Sequence, residues 1–212
     1  MPHSASDVPN NSSDDSPTPI PGVAWTGVPW TRGALFFVLA LTGLGTDLAT
    51  KHWVFNRLGM PGVARERIPI VGDVLTLETS LNEGALFGLG QGGVPIFVAL
   101  TIFAAGGILY WLFFAGGAHD LWLTLALASV WGGMLGNLWD RLGLHHLTWH
   151  YGDRFGDRVY AVRDWIHFQI EGLFDFPVFN IADSLLVCGV TLLMWQTLRA
   201  ERPSASAAVA QS

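Results

Sequence analysis

Five short groups of polar residues stand out against an otherwise apolar chain, and the last of them carries the clearest chemistry. Phe179-Asn180-Ile181-Ala182-Asp183 opens the final apolar run, and Asp183 is the only acidic or basic residue between Phe176 and Leu198. A carboxylate near one end of a lipid-length helix is costly to keep, so it marks a functional site by default and needs a partner. The nearest candidate is Asp164, in Val162-Arg163-Asp164-Trp165-Ile166. Two carboxyl groups within hydrogen-bond range do not easily both ionise, and the pair titrates as a unit. One member then draws a proton from water while the other donates one to a scissile carbonyl oxygen. Asn180, three residues before Asp183, is placed to cap the helix or orient that acid. The plainer alternative is that Asp183 pairs with an arginine.

The other polar groups read as support for that pair. Asp47 and Lys51 are four apart and share a helix face, as a self-neutralising brace or as support for a site at the same membrane depth. Asn82-Glu83-Gly84-Ala85-Leu86-Phe87-Gly88 combines an amide with glycines that permit close backbone approach, although an ordinary turn has the same composition. In Gly132-Gly133-Met134-Leu135-Gly136-Asn137-Leu138-Trp139-Asp140-Arg141, Gly132 and Gly136 form a small-residue face for helix packing. Asn137 and Arg141 share another face, Asp140 beside Arg141 reads as a charge brace, and the planar fork of Arg141 suits a carboxylate or carbonyl. His145, His146, His150 and His167 fit no standard metal-ligand spacing. Cys188, the only cysteine, reads as a small apolar residue and excludes an internal disulfide.

The elements that must position these groups are membrane helices. Half of the 212 residues are apolar and only 13% are charged, a membrane composition. The net charge of −6 without a basic cluster argues against nucleic acid as a partner. About 20 residues cross a hydrocarbon layer of about 30 Å. Four runs of that order follow one another, at about Gly33–Phe55, Pro95–Ala115, Leu121–Trp139 and Phe176–Leu198. The expected fold is therefore mostly α and integral to the membrane, with four transmembrane helices. A small β-containing cap is expected between helices 1 and 2, read from the β-branched Ile68–Thr79 stretch. Residues 1–30, rich in Ser, Pro, Asp and Asn, read as a disordered tail, 31–200 as the membrane domain, and 201–212 as a second tail. Polar loops occupy about 56–94 and 140–176. Lys and Arg number three on the side of the termini and eight on the loop side, so the positive-inside rule alone places the termini outside.

In order along the chain these groups resemble the lipoprotein signal peptidases (signal peptidase II), membrane aspartic proteases. The resemblance runs from Asp47-x-x-x-Lys51 through Asn82-x-Gly84-x-x-Phe87 and Gly136-Asn137-x-x-Asp140-Arg141 to Val162-Arg163-Asp164-Trp165 and Phe179-Asn180-x-Ala182-Asp183. It implies catalytic aspartates at Asp164 and Asp183. It places supporting or substrate-contacting residues at Asp47, Lys51, Asn82, Gly84, Phe87, Gly133, Asn137, Asp140, Arg141, Asn180 and Ala182. It further implies removal of the signal peptide from a prolipoprotein just before its diacylglyceryl-modified cysteine, by a monomer in contact with membrane lipid, without metal or organic cofactor. The location implied is the bacterial cytoplasmic membrane, with cytoplasmic termini and an extracytoplasmic site. The chain departs from the family pattern in a long link, about 142–163, that reads as an insertion, and in Val-Arg-Asp-Trp around Asp164, which leaves Asp153 and Asp157 as alternative second acids. Two non-enzymatic classes compete, a proton-coupled carrier using Asp47, Lys51 and Asp183, and a membrane scaffold. No paired or interrupted helices of the carrier kind are visible.

Overall fold

The computed structural model describes residues 28–62, 67–84 and 93–200. The tails read from the sequence lie almost wholly outside them. Four helices, α1 (Trp30–Leu58), α2 (Val94–Phe114), α3 (Leu121–Arg141) and α4 (Ile181–Ala200), alternate in direction. All four are long and apolar enough to cross a membrane. Pro95 in the first turn of α2 occupies the one place where a missing N–H costs nothing. Asp120 caps α3 by accepting a hydrogen bond from the Leu123 N–H at 2.9 Å. Only six residues, 115–120, join α2 to α3, which forces them antiparallel.

Helix α3 is the centre of the bundle and touches α1, α2 and α4. Its glycines allow this. A Cβ on Gly132 would sit 2.7 Å from the Ala40 carbonyl oxygen of α1, and one on Gly133 would sit 2.5 Å from the Ala182 carbonyl oxygen of α4. Small residues of this kind let membrane helices meet backbone to backbone, where van der Waals contact is the main attraction. Helix α2, by contrast, buries only Ala105 and Leu112 and turns Ile96, Leu100, Phe103 and Phe114 outward. That surface suits hydrocarbon.

At 29 residues α1 is about 43 Å long, some way beyond the thickness of the hydrocarbon layer. Its last turns carry Val54, Phe55 and Leu58 into a second apolar core, outside the bundle. That core is roofed by an antiparallel sheet of order β1-β2-β3-β4, formed by Ile68–Val71, Leu75–Asn82, Val162–Ile170 and Phe174–Phe179. The sheet is larger than the cap expected between helices 1 and 2, because both polar loops contribute to it. The β2–β3 pairing sets Ser80 opposite Asp164 and Asn82 opposite Val162.

The expected start of the fourth span is corrected. Phe176–Phe179 belong to β4, and the helix begins at Ile181. Their aromatic side chains extended the apolar run in the sequence, but Pro177 suits an edge strand better than a helix interior.

The close approach of α3 to α1 gives a direct test. Gly132→Ala should overpack the interface, at a cost of about 1–3 kcal/mol, and lower the melting temperature in detergent by several degrees. Gly106→Ala, with no atom within 4 Å of the added Cβ, should leave it unchanged or raise it. Equal melting temperatures for the two variants would contradict this packing.

Candidate active site

The site lies where the sheet meets the ends of α1, α3 and α4. At its base Lys51, fully buried, sits 2.7 Å from Asp47 and 3.2 Å from Asp140, both also fully buried. Asp140 was expected to brace Arg141; its partners are instead Lys51 and Arg163. The Arg163 guanidinium donates through Nε and Nη2 to Asp140 Oδ1 at 3.0 and 2.8 Å, and the Arg163 N–H donates to Oδ2 at 2.9 Å. Asp47 in turn accepts the Ala182 N–H at 2.9 Å, satisfying a first-turn donor of α4. Two carboxylates and two cations thus balance while joining α1, α3, α4 and β3. Leaving any one of four such charges unpaired at this depth would be costly.

Two amides lead from this base to the two expected acids. Asn137 accepts from Lys51 at 3.1 Å through Oδ1 and donates from Nδ2 to Asp183 Oδ1 at 2.8 Å. Asn180 caps α4, its Oδ1 accepting the Asp183 N–H at 2.9 Å. Asp183 Oδ2 answers by accepting the Asn180 N–H at 3.2 Å, a reciprocal capping box. The Asn180 amide still has Nδ2 free to donate, and it does so to Asp164 Oδ1 at 2.6 Å. A single capping residue therefore fixes the helix start, orients Asp183 and reaches Asp164.

Both aspartates line a cavity of about 340 Å³, together with Asn82, Phe176, Pro177, Val178, Phe179, Ser184, Val187 and Cys188. Burial first, and the Asp183 charge second, push the Asp164 carboxyl up to about 7; hydrogen bonds from Asn180 and Asn82 and the Lys51 charge oppose the rise. An acid of this kind, in a cleft and beside a second carboxyl group, fits general acid–base work near neutral pH.

The remaining expected residues fall around this centre. Arg141 donates from Nη2 to the Gly84 carbonyl oxygen at 3.0 Å, and the Gly84 N–H donates to Asn82 Oδ1 at 3.0 Å. Gly136 faces Asp47, and Gly133 packs on the Ala182 backbone, as close-approach positions outside the cavity lining. Phe87 lies outside the described residues. Asp153 and Asp157 are exposed on the insertion and do not line the cavity, whereas Asp164 does. Arg163, Ser184 and the Phe176–Phe179 wall escaped the sequence reading. The alternation of a strand, which sends Arg163 and Asp164 to opposite faces, was the available signal for Arg163.

The histidines are dispersed. His145 Nδ1 accepts the Leu147 N–H at 3.0 Å, and burial lowers its pKa to about 4. His146 meets Arg158, and His167 spans the sheet between Glu78 and Asp175. Among the described residues no group of three or more His, Cys, Asp or Glu side chains is placed to hold a metal ion.

The raised Asp164 carboxyl links stability to pH. Between about 3.8, its ordinary value, and about 7, the folded protein keeps a proton that the unfolded chain has lost. Stability from this group is therefore greatest in acid and falls as pH rises through that window. Asp164→Asn removes the liability, so the variant should gain melting temperature over the wild type at pH 8 and gain less at pH 5. A difference independent of pH would contradict the buried-acid geometry.

Residues 39–199 match the family model described as Signal peptidase (SPase) II. The lipoprotein signal peptidase of Rhodopirellula baltica is 42% identical over 190 residues, covering 88% of this chain and 82% of the relative. That of Shouchella clausii is 35% identical over 162 residues, covering 76% and 91%. A bacterial membrane enzyme structure determined by the in meso method at 2.3 Å resolution superposes with a TM-score of 0.64 at 26% identity, covering 78% of this chain and 88% of that one. With its four helices, sheet and polar base in that setting, the chain belongs to the signal peptidase II family.

Proposed function

We propose that the protein is an aspartic endopeptidase that removes the signal peptide of diacylglyceryl-modified prolipoproteins, cutting just before the lipidated cysteine. The observation that carries this reading is the cavity shared by Asp164 and Asp183, with both carboxyl groups held by amides and the first able to keep its proton near neutral pH. Family membership supports the substrate class.

The chemistry follows from one proton shared by two carboxyl groups. Asp183, whose two oxygens accept N–H bonds from Asn137 and Asn180, takes a proton from water as the oxygen attacks the scissile carbonyl. Asp164 donates its proton to the carbonyl oxygen, giving a neutral tetrahedral diol. Its collapse breaks the C–N bond, Asp183 passes the proton it took from water to the departing cysteine nitrogen, and Asp164 recovers its own proton from a diol hydroxyl. No covalent enzyme intermediate forms. The apolar wall of Phe176, Val178, Val187 and Cys188 is suited to the acyl chains and the signal helix.

The termini are assigned to the cytoplasm and the sheet to the outer face. Among the loop-side cations, Lys51, Arg67, Arg154 and Arg163 each pair with a carboxylate. The excess of positive charge on that side is therefore smaller than the residue count suggests. In a Cys188→Ser background, a cysteine placed at Gly172 in the β3–β4 turn should react with a membrane-impermeant maleimide added outside intact cells. Labelling only after permeabilisation would reverse the assignment.

Cleavage itself is tested by a gel-shift assay on a diacylglyceryl-modified prolipoprotein in detergent. The wild type should cleave, while Asp164→Asn and Asp183→Asn, each checked for folding, should lose turnover by orders of magnitude. Asp153→Asn and Asp157→Asn should cleave normally. Because the dyad needs its proton, kcat/KM should fall as pH rises above about 7. Normal turnover by a folded Asp164→Asn would remove Asp164 from the dyad.

A further inference from the structure

The insertion at 142–163 is a folded part of the apolar core beneath the sheet. It doubles back on itself, with Thr148 bridged to Arg158 and the Trp149 N–H donating to the Asp157 carbonyl oxygen at 2.9 Å. Trp149 is buried with Phe55 of α1, Leu77 of β2 and Trp165 of β3. A buried indole gives the insertion a fixed seat beside the sheet.

Arg154, at the tip, uses that seat. Its guanidinium lies over the Trp149 ring, 3.9 Å from the centroid, and Nη1 donates to Glu83 Oε1 at 2.6 Å. Stacking holds the planar fork in one orientation, so little freedom is lost in making the ion pair. Glu83 is flanked by residues already placed at the site. Asn82 lines the cavity together with Asp164, and Gly84 accepts from Arg141. The backbone of 82–84 leaves the end of β2 here, past its last pairing with β3 at Asn82–Val162, so no ladder bond fixes Glu83. Among the described residues, Arg154 is the side-chain contact that holds it.

We propose that Arg154 is a positioning residue for the peptidase reaction, through which the insertion holds Glu83 and so fixes the Asn82–Gly84 turn against Asp164 and Arg141. This rests on the protease reading of the site. The insertion acts on the chemistry without touching substrate, and the family of contacts from Trp149 to Asn82 is one continuous path of stacking, ion pair and backbone.

The test measures kcat and KM on a diacylglyceryl-modified prolipoprotein, with melting temperatures for every variant. Wild-type cleavage is the reference, and its absence would remove the protease reading together with this one. Given cleavage, Arg154→Gln should lower kcat about three- to tenfold, the scale of one partly exposed ion pair with its stacking contact. KM and melting temperature should stay close to wild type. Glu83→Gln should reproduce the effect, and Arg154→Lys should restore only part of it, keeping charge without the fork. Since Arg154 acts through Asn82, Arg154→Gln should cost nothing more in an Asn82→Ala background that still shows measurable turnover. Unchanged kcat in Arg154→Gln, or losses that multiply with Asn82→Ala, would overturn the proposal while leaving the protease reading intact.

Discussion

The fold depends on a buried lysine. Lys51 has no solvent exposure and sits at the join of α1, α3 and the sheet, where an unpaired ammonium would be untenable. Asp47 and Asp140 neutralise it, and Arg163 balances the second of these carboxylates. The members come from α1, α3 and β3, so satisfying the charges amounts to docking these elements. Asp47 adds the start of α4 through the Ala182 N–H. In a helix bundle without a hydrophobic driving force between helices, such a network sets register where apolar packing alone would leave it free.

The same network explains why amides rather than cations hold the two expected acids. Lys51 turns its third contact to Asn137 Oδ1, and the other end of that amide reaches Asp183. The side chain of Asn180 reaches Asp164 in the same way. An amide fixes a carboxyl oxygen in place without supplying a full charge. A lysine or arginine bonded directly to either acid would favour the doubly ionised pair, and general acid catalysis needs a proton left on one of them. Lys51 and Arg163 are close enough to stabilise the assembly, yet they are committed to Asp47 and Asp140.

What the sequence revealed follows the range of the interactions involved. The helices were legible because lipid length and composition act within one segment, and Asp47 with Lys51 was legible because four residues is one helical turn. Asn180 and Asp183 were likewise readable as a cap and a first-turn acid. The partner of Asp140 was misjudged because Arg163 is 23 residues away, across the insertion, and is brought back only by β3. The span of α4 was extended too far because Phe176, Val178 and Phe179 are as apolar as a helix, although they form an edge strand. Strand pairing between two distant loops, the feature that sets Asp164 opposite Ser80, has no local signature at all.

Two of the paired strands, β3 and β4, define the two halves of the cavity. Strand β3 brings Asp164 to the polar base, and β4 supplies the aromatic wall that faces α4. The consequence is a site with a polar floor and an apolar side, set at the end of membrane-length helices. In the proposed reaction, hydrolysis of a lipid-bearing peptide, the two demands conflict, since acyl chains require an apolar surface and hydrolysis requires water. Here they are met on different elements. Asn82, Asp164, Asp183 and Ser184 are the polar residues that line the cavity, while Phe176–Phe179 and the Val187–Cys188 turn of α4 line it with hydrocarbon. The conflict is resolved by geometry within a single cavity, and the capping residue Asn180, standing between strand and helix, is the hinge of that arrangement.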